Sequence, residues 1–412
     1  MINFEVVKKI AKKCIKCANP SCVKACPLNN PIPEILKSIE NDKLDLAKEL
    51  LFSNTNIPYI CSNLCDKEKS CYGSCVLNKK NDPAPFYLVE EYLSSFYDKD
   101  LFIKKSSNNK SAIIIGSGVA GINASIKLAV EGFNVTLIEK ENRIGGVINN
   151  TLPSFRFDDS ILNKYEEILS KLEVNVLLNN ELFKDVSFDE LLKYDVCLFA
   201  MGTQVSKMSF KDSDFSYDAL EILAAYKNNK KLIENKKVIV TGGGNVAMDV
   251  ARVLLRCNND VTICYRRDMK NAPSSKHEIN LAKEEGVKFN ECISPVSLIM
   301  DNELLKGIKF EKMDLVDDPA SSRKNFVKTG KYEDIECDYL VEAIGQNADY
   351  NILKSKLHQM FNEDGWPVNE VIKYQNTLFA SIGDYNLGAS TFAKAQNNSN
   401  EMIRKVLERI WE

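Results

Sequence analysis

Eight of the thirteen cysteines fall in two sets, Cys14-x2-Cys17-x4-Cys22-x3-Cys26-Pro27 and Cys61-x3-Cys65-x5-Cys71-x3-Cys75. Sulfur ligands at this density call for a soft metal. Zinc usually takes two close pairs separated by a longer loop, whereas four closely spaced cysteines closed by Cys-Pro match the run that holds four-iron, four-sulfur clusters. In that run the fourth cysteine can serve a second cluster. The spacing therefore predicts two 4Fe-4S clusters, with zinc or eight buried structural thiols as the alternatives. Only two histidines are present, His277 and His358, so imidazole acid–base chemistry has little to draw on.

A second chemistry begins where the apolar run Ala112-Ile113-Ile114-Ile115 enters Gly116-Ser117-Gly118-Val119-Ala120-Gly121. A strand that ends in G-x-G-x-x-G and opens a helix lets backbone N–H groups approach a pyrophosphate, and the helix N-terminus favours its charge. Helical spacing continues through Ile122, Ala124, Ile126 and Leu128, and a second strand, Val135-Thr136-Leu137-Ile138, ends at Glu139, where a ribose hydroxyl would find an acceptor. The pattern repeats at a constant offset. Lys237-Val238-Ile239-Val240 enters Gly242-Gly243-Gly244-Asn245-Val246-Ala247, so that Gly116 falls on Gly242, Gly118 on Gly244, Gly121 on Ala247 and Glu139 on Tyr265. Two dinucleotide sites follow. In the second copy Tyr265-Arg266-Arg267 replaces the acid; a carboxylate repels a 2'-phosphate, whereas guanidinium groups bond it, so the second site reads as selective for NADPH. A solvated basic pair at a strand end is the alternative.

The chain of 412 residues has room for two or three domains, and its net charge of -3 with dispersed Lys and Arg leaves no nucleic-acid footprint. No apolar run reaches membrane length and Met1-Ile2-Asn3-Phe4-Glu5 shows no signal-peptide core, so no membrane association and a cytoplasmic location are expected. Pro33 to Glu40 and Leu44 to Phe52 carry helical spacing that would fold the second cysteine set onto the first. A polar stretch, Lys104 to Lys110, separates this part from the first dinucleotide fold. From Asp338 the chain is expected to return to that first fold, through a strand Tyr339 to Ile344, a strand Leu378 to Ile382 entering Gly383-Asp384, and a helix Thr391 to Trp411.

The cysteine pattern, followed by Ile57-Pro58-Tyr59-Ile60-Cys61 and by Pro83 to Tyr92, resembles the N-terminal domain of the glutamate synthase small subunit and the N-terminal part of dihydropyrimidine dehydrogenase. The resemblance runs from Cys14 to about Ile403, with the motifs in the family's order. It implies one cluster on Cys14, Cys17, Cys22 and Cys75, and another on Cys26, Cys65 and Cys71. Glu90, in Val89-Glu90-Glu91, occupies the place of a non-cysteine fourth ligand, and Cys61 is no ligand. Tyr87 stands where a glycine is usual. Arg143-Ile144-Gly145-Gly146 and Leu152-Pro153-Ser154-Phe155-Arg156 are similar to the flavin-side segment, which implies that Gly146 and Arg156 join Gly116, Gly118, Gly121 and Glu139 in binding FAD. Gly202, in Met201-Gly202-Thr203, matches the crossing between domains, and Gly383-Asp384 the flavin-binding Gly-Asp. Gly242, Gly244, Asn245 and Ala247, with Asp249 and with Pro273 to Glu278, match the NADPH side, where Arg266 and Arg267 would hold the 2'-phosphate. Asn397-Asn398-Ser399-Asn400 replaces a small, Gly-containing sequence and implies looser packing.

The implied fold is α/β, two Rossmann-like dinucleotide-binding domains, one inserted in the other, behind a small helical double-cluster iron–sulfur domain. The expected boundaries are 1–105 for the cluster domain, 111–212 with 335–412 for FAD, and 213–334 for NADPH. The implied function is electron input: hydride from NADPH to FAD, then single electrons through the clusters to an electron-accepting partner subunit. With no FMN barrel or amidotransferase domain in the sequence, that partner is expected to be an FMN-containing synthase or dehydrogenase subunit, first a glutamate synthase large subunit, then a pyrimidine-reducing subunit, or else a ferredoxin. No side-chain acid or base is required. One rival, a disulfide reductase, needs a cysteine pair where this chain has Val147-Ile148-Asn149-Asn150, and Cys257 and Cys264 lack the other known spacing. The other rival is a non-catalytic cluster-and-flavin redox sensor.

Overall fold

A computed structural model describes residues 2–203, 205–318 and 324–411. The chain forms two compact units, Met1–Ile148 with Phe157–Gln204 and Ala348–Glu412, and Asn149–Arg156 with Val205–Asn347.

The first unit opens with short helices. Phe4–Lys13 is capped by Asn3, whose side chain accepts the Val6 N–H at 3.0 Å, and it buries Val7, Ile10 and Ala11. Ile32–Glu40 and Leu44–Phe52 form as their spacing predicts. Their apolar faces meet Phe86, Val89 and Leu93 of the helix Phe86–Ser94 in one core. Each wholly buried Ile or Leu there contributes about 1.5–3 kcal/mol, which lets helices of nine residues stand where isolated ones would not. The remainder of the unit is a six-stranded sheet in the order Ile372–Tyr374, Thr377–Ser381, Val196–Phe199, Ser111–Ile115, Asn134–Ile138, Asn175–Leu177. All but the first of these run parallel. A helix on each face of the sheet is why Ala112, Ile113, Ile114 and Ile115 are all buried.

In the second unit a five-stranded parallel sheet runs Ser216–Asp218, Tyr339–Glu342, Lys237–Thr241, Asp260–Tyr265, Lys288–Glu291. In both sheets the strand that feeds the glycine loop has the next strand in sequence on one side and a much later one on the other, the doubly wound reversal that opens a crevice at the strand ends. Tyr339–Glu342 does not return to the first fold; it pairs with Lys237–Thr241, Leu340 opposite Ile239, and supplies Ala343 to cover the second glycine loop. The second unit therefore extends over 205–347, past the expected limits of 213 and 334. It also carries an antiparallel sheet of Ile293–Asp301, Leu304–Val316 and Asn325–Glu336 that no sequence motif marked. Among the described residues no helix is long and apolar enough to cross a membrane.

Candidate cluster and dinucleotide sites

The eight N-terminal cysteines line two cavities. The first is walled by Cys14, Cys17, Cys22 and Cys75, with Ile15 and Val76 beside them. Cys14 ends the first helix in extended backbone, Cys22 sits in the first turn of Ser21–Ala25, and Cys75 is the extended residue before the turn Val76–Lys80. The second cavity takes Cys26, Cys65, Cys71, Cys61 and Glu90, with Asn30, Lys67, Tyr87 and Ala393. The resemblance implied ligand sets drawn from these same residues, apart from Cys61, which also lines the second wall. Among the described residues no three Cys, His, Asp or Glu side chains are close enough to share one ion.

Burial pushes the Cys22 and Cys65 thiols up to about 11 and raises Cys14, Cys26 and Cys71 as well. Glu90, 6 % exposed, is raised by burial to about 8, against the pull of the Lys67 ammonium. Its side chain has one long contact, Asn30 Nδ2 to Oε1 at 3.5 Å, and Asn30 Oδ1 has no hydrogen-bond partner. These groups are costly to keep without a metal, and a bound cluster would take up the ionised forms. Soft thiols with one hard carboxylate form a donor set that fits a cluster with an oxygen ligand. Cys61 is buried beside the Thr55 hydroxyl, and burial pushes its thiol well up. Tyr87, in place of a glycine, packs edge-on against Tyr72 at 5.7 Å between ring centroids and carries the Lys67 ammonium 4.3 Å over its ring.

In the first dinucleotide fold Gly116 turns the chain at φ +100°, and a Cβ on it would stand 2.6 Å from the Ala200 carbonyl oxygen. Beyond it a Cβ on Gly118 would meet nothing within 4 Å, leaving room for a pyrophosphate at the N-terminus of the helix Val119–Val130. Glu139 braces the loop: Oε2 accepts the Ser117 N–H at 2.9 Å and the Ser117 hydroxyl at 2.5 Å, while Oε1 accepts the Glu141 N–H. Gly146 packs on Gly118, Gly202 follows the segment that covers Gly116, and Gly383 abuts Ala120. Asp384, raised by burial, accepts the Ser390 hydroxyl. Arg156, in the second unit, pairs with Asp249 and, at 3.4 Å, with Glu278.

The helix Phe392–Trp411 is densely packed where looser packing was expected. Asn398 accepts the Gly383 N–H at 2.8 Å and donates to Asn386, and the Ser399 hydroxyl donates to the Ala120 carbonyl. A polar seam continues from there to the cluster helices. Asn123 Oδ1 accepts from Asn56 at 2.9 Å and from Gln396 at 3.2 Å, and the Thr55 hydroxyl bonds Gln396 at 3.0 Å. Asparagines replacing small helix residues were the available signal, but their partners lie far off in sequence.

In the second fold Gly242 repeats the turn at φ +138°, closed by the Ala343 carbonyl, and a Cβ on Gly244 would meet Pro273 at 4.0 Å. Asn245 Oδ1 accepts from the Ser274 hydroxyl at 2.7 Å, tying the loop to the segment before the helix Lys276–Glu285. Ala247 is wholly buried. Tyr265 lays its ring on Gly243, and the Arg266 and Arg267 guanidiniums sit 4.6 and 5.0 Å from the Phe326 ring centre. Sequence reasoning missed Phe326, which comes from the antiparallel sheet. On the helix Asn245–Arg256, Asp249 is pushed up to about 6 by burial, against the Arg156 guanidinium, and Arg252 reaches Glu278 at 3.0 Å and Glu285 at 2.6 Å. A buried network of this kind fixes geometry more surely than it adds stability.

Comparison with known proteins gives two family matches. Residues 110–401 match pyridine nucleotide-disulphide oxidoreductase, and residues 2–100 match dihydropyrimidine dehydrogenase domain II, 4Fe-4S cluster. The chain is 30% identical over 363 residues to glutamate synthase [NADPH] small chain of Escherichia coli (strain K12), covering 82% of this chain and 76% of that one. It is 29% identical to NADPH-Fe(3+) oxidoreductase subunit beta of Geobacter sulfurreducens, over 82% of this chain and 52% of that protein's length. Among solved structures, Mycobacterium tuberculosis FprA in complex with NADPH aligns with a TM-score of 0.63 at 16% identity, covering 73% of this chain and 85% of that one.

Proposed function

Because the chain belongs to the pyridine nucleotide-disulphide oxidoreductase family and carries a 4Fe-4S cluster domain ahead of that fold, it is an NADPH-dependent FAD and iron–sulfur oxidoreductase, and we propose that it is the electron-input subunit of a larger assembly. When bound, NADPH supplies a hydride, the flavin accepts its two electrons, and the clusters conduct them one at a time. Gly116, Gly118, Gly121, Glu139, Gly146, Gly202, Gly383 and Asp384 hold FAD in this reading, and Gly242, Gly244, Asn245, Ala247, Arg266 and Arg267 hold NADPH. Arg156, paired with Asp249 and Glu278, is the remaining flavin-side residue in this reading. One cluster sits on Cys14, Cys17, Cys22 and Cys75, and the other on Cys26, Cys65, Cys71 and Glu90.

The observation that carries the proposal is the sorting of the cysteines into two cavities of unlike character. The Glu90 cavity is lined in part by Ala393, in the first turn of the helix that packs on the flavin fold, whereas the all-cysteine cavity is walled by residues of the first 77 alone. The Glu90 cluster is then the inboard station and the all-cysteine cluster the exit. The acceptor is an FMN-containing subunit, first of all a glutamate synthase large subunit, a reading supported by the likeness to the E. coli small chain.

Iron analysis and EPR of anaerobically reconstituted variants test this. Two four-iron clusters require about eight irons per chain; Cys22→Ala and Cys26→Ala should each remove about half, Cys61→Ser none, and Glu90→Gln should alter the signal of the cluster that Cys26→Ala removes. Stoichiometric zinc, or loss of iron with Cys61→Ser, overturns the assignment.

A further inference from the structure

Arg266 and Arg267 follow the strand Asp260–Tyr265, at the level where the first fold presents Glu139. Two guanidiniums side by side repel each other and, on long side chains, lose entropy when ordered, so a pair meant to grip a phosphate needs support. The neighbouring strand supplies that support. The Phe326 ring lies under both, with guanidinium carbons at 4.6 and 5.0 Å from its centre, within the range of cation–π attraction. Arg267 Nε donates to the Lys324 carbonyl at 2.7 Å, which restrains that guanidinium. Lys324 is held in turn, its N–H donating to Asn271 Oδ1 at 3.0 Å, and Asn271 is tied to Asp268, the residue after Arg267. The loop that bears the arginines and the first residues of the strand Asn325–Glu336 are thus fastened to each other at two points.

We propose that Phe326 is a specificity-determining positioning residue: its ring orders Arg266 and Arg267 as a preformed receptor for the 2'-phosphate, so that the antiparallel sheet, and not the dinucleotide fold alone, sets the choice of NADPH over NADH. The inference rests on the reading that these two arginines take the 2'-phosphate. A ring that stacks on guanidinium faces leaves their edges for in-plane, bidentate bonds to phosphate oxygens. Removing it leaves the charges but loosens their rotamers, which costs affinity only for ligands that carry the 2'-phosphate.

The test is calorimetric titration of the reconstituted holoprotein with 2',5'-ADP, 5'-AMP, NADP+ and NAD+. Phe326→Ala should weaken 2',5'-ADP and NADP+ about five- to tenfold while 5'-AMP and NAD+ change less than about twofold, and Phe326→Trp should restore the preference. Phe326→Leu, which keeps the apolar bulk without the ring face, should fall between and provides the readout if the alanine variant folds poorly. In an Arg266→Gln, Arg267→Gln background, Phe326→Ala should have no further effect on the preference. If the double arginine variant keeps the full preference, the phosphate reading fails and the proposal with it. If that variant loses the preference but Phe326→Ala keeps it, or weakens NAD+ equally, the platform role is wrong and the arginine reading stands.

Discussion

The two dinucleotide folds of this chain share the order of four strands, a glycine turn closed by an alanine carbonyl, and an open approach to a helix N-terminus, yet they part company at the end of the second strand. In the first, the Glu139 carboxylate folds back on Ser117 and becomes part of the loop. In the second, the Tyr265 ring rests on Gly243, and charge of the opposite sign stands one and two residues later against Phe326. The difference teaches that the pyrophosphate cradle and the ribose end are separable: the cradle is fixed by backbone geometry, the ribose end by whichever side chains the neighbouring elements can hold. A second difference is smaller in size and sharper in consequence. The third loop position is Gly121 in one fold and Ala247 in the other.

Gly121→Ala tests the cradle most severely. The added methyl would lie 1.9 Å from the Gly116 carbonyl oxygen, which is backbone and cannot rotate aside. Overpacking at such a point costs about 3 kcal/mol and displaces the turn that faces the pyrophosphate. The purified variant should have lost most of its FAD, as read from flavin absorbance after desalting, and should still bind NADP+ in calorimetry. Full retention of FAD would show that the two loops differ less than their glycines suggest.

Glu139→Ala comes next in size. It strips an acceptor from the Ser117 N–H, the Ser117 hydroxyl and the Glu141 N–H, all at or near the loop. Donors left unpaired in a buried place cost about 1–3 kcal/mol, so FAD affinity should fall roughly thirtyfold, while the ratio of NADPH to NADH reactivity in stopped-flow flavin reduction stays unchanged. A shift in that ratio would mean that the first fold takes part in coenzyme choice.

Much of this contrast was legible in the sequence because it is written locally. The glycine loops, their strands and Glu139 are contiguous motifs, and the constant offset between the copies identified Tyr265-Arg266-Arg267 as the substitution for the acid. What stayed hidden depends on residues distant in the chain. Arg156 reads as a flavin-side residue from its own neighbours, and only folding brings it to Asp249 and Glu278. Asn123 looks like an ordinary helix residue until Asn56 and Gln396 meet it. The strand Leu304–Val316 does carry an alternating pattern, with Leu305, Ile308, Phe310 and Met313 buried, but register breaks along its pairings with both neighbours blur the period. Tyr339–Glu342 reads equally well as a strand of the first sheet, because an apolar parallel strand looks the same in either one; pairing with Lys237–Thr241 decides its place.

Ala247→Gly is the mildest test and the most exact counterpart of the first. Ala247 is wholly buried on the helix Asn245–Arg256, so its methyl already occupies space that the second loop provides. Changing it to glycine restores the motif of the first fold but removes a buried methyl and places the least helix-favouring residue short of proline in the first turn, at a cost of about 1 kcal/mol. In a unit of this size that is a fall of about 2–4 °C in the second fold's unfolding temperature. NADP+ affinity should stay within about twofold and FAD content should not move, since the cradle's turn is made by Gly242 and Ala343 and neither is touched. The discriminating measurement is hydrogen exchange of the amides in 245–256, which should quicken while those of 119–130 do not. If Ala247→Gly instead tightens NADP+ severalfold, the alanine holds the pyrophosphate off and the two loops are tuned to different ligand depths; if it costs as much as Gly121→Ala, position 247 supports the fold in a way the first copy does not share.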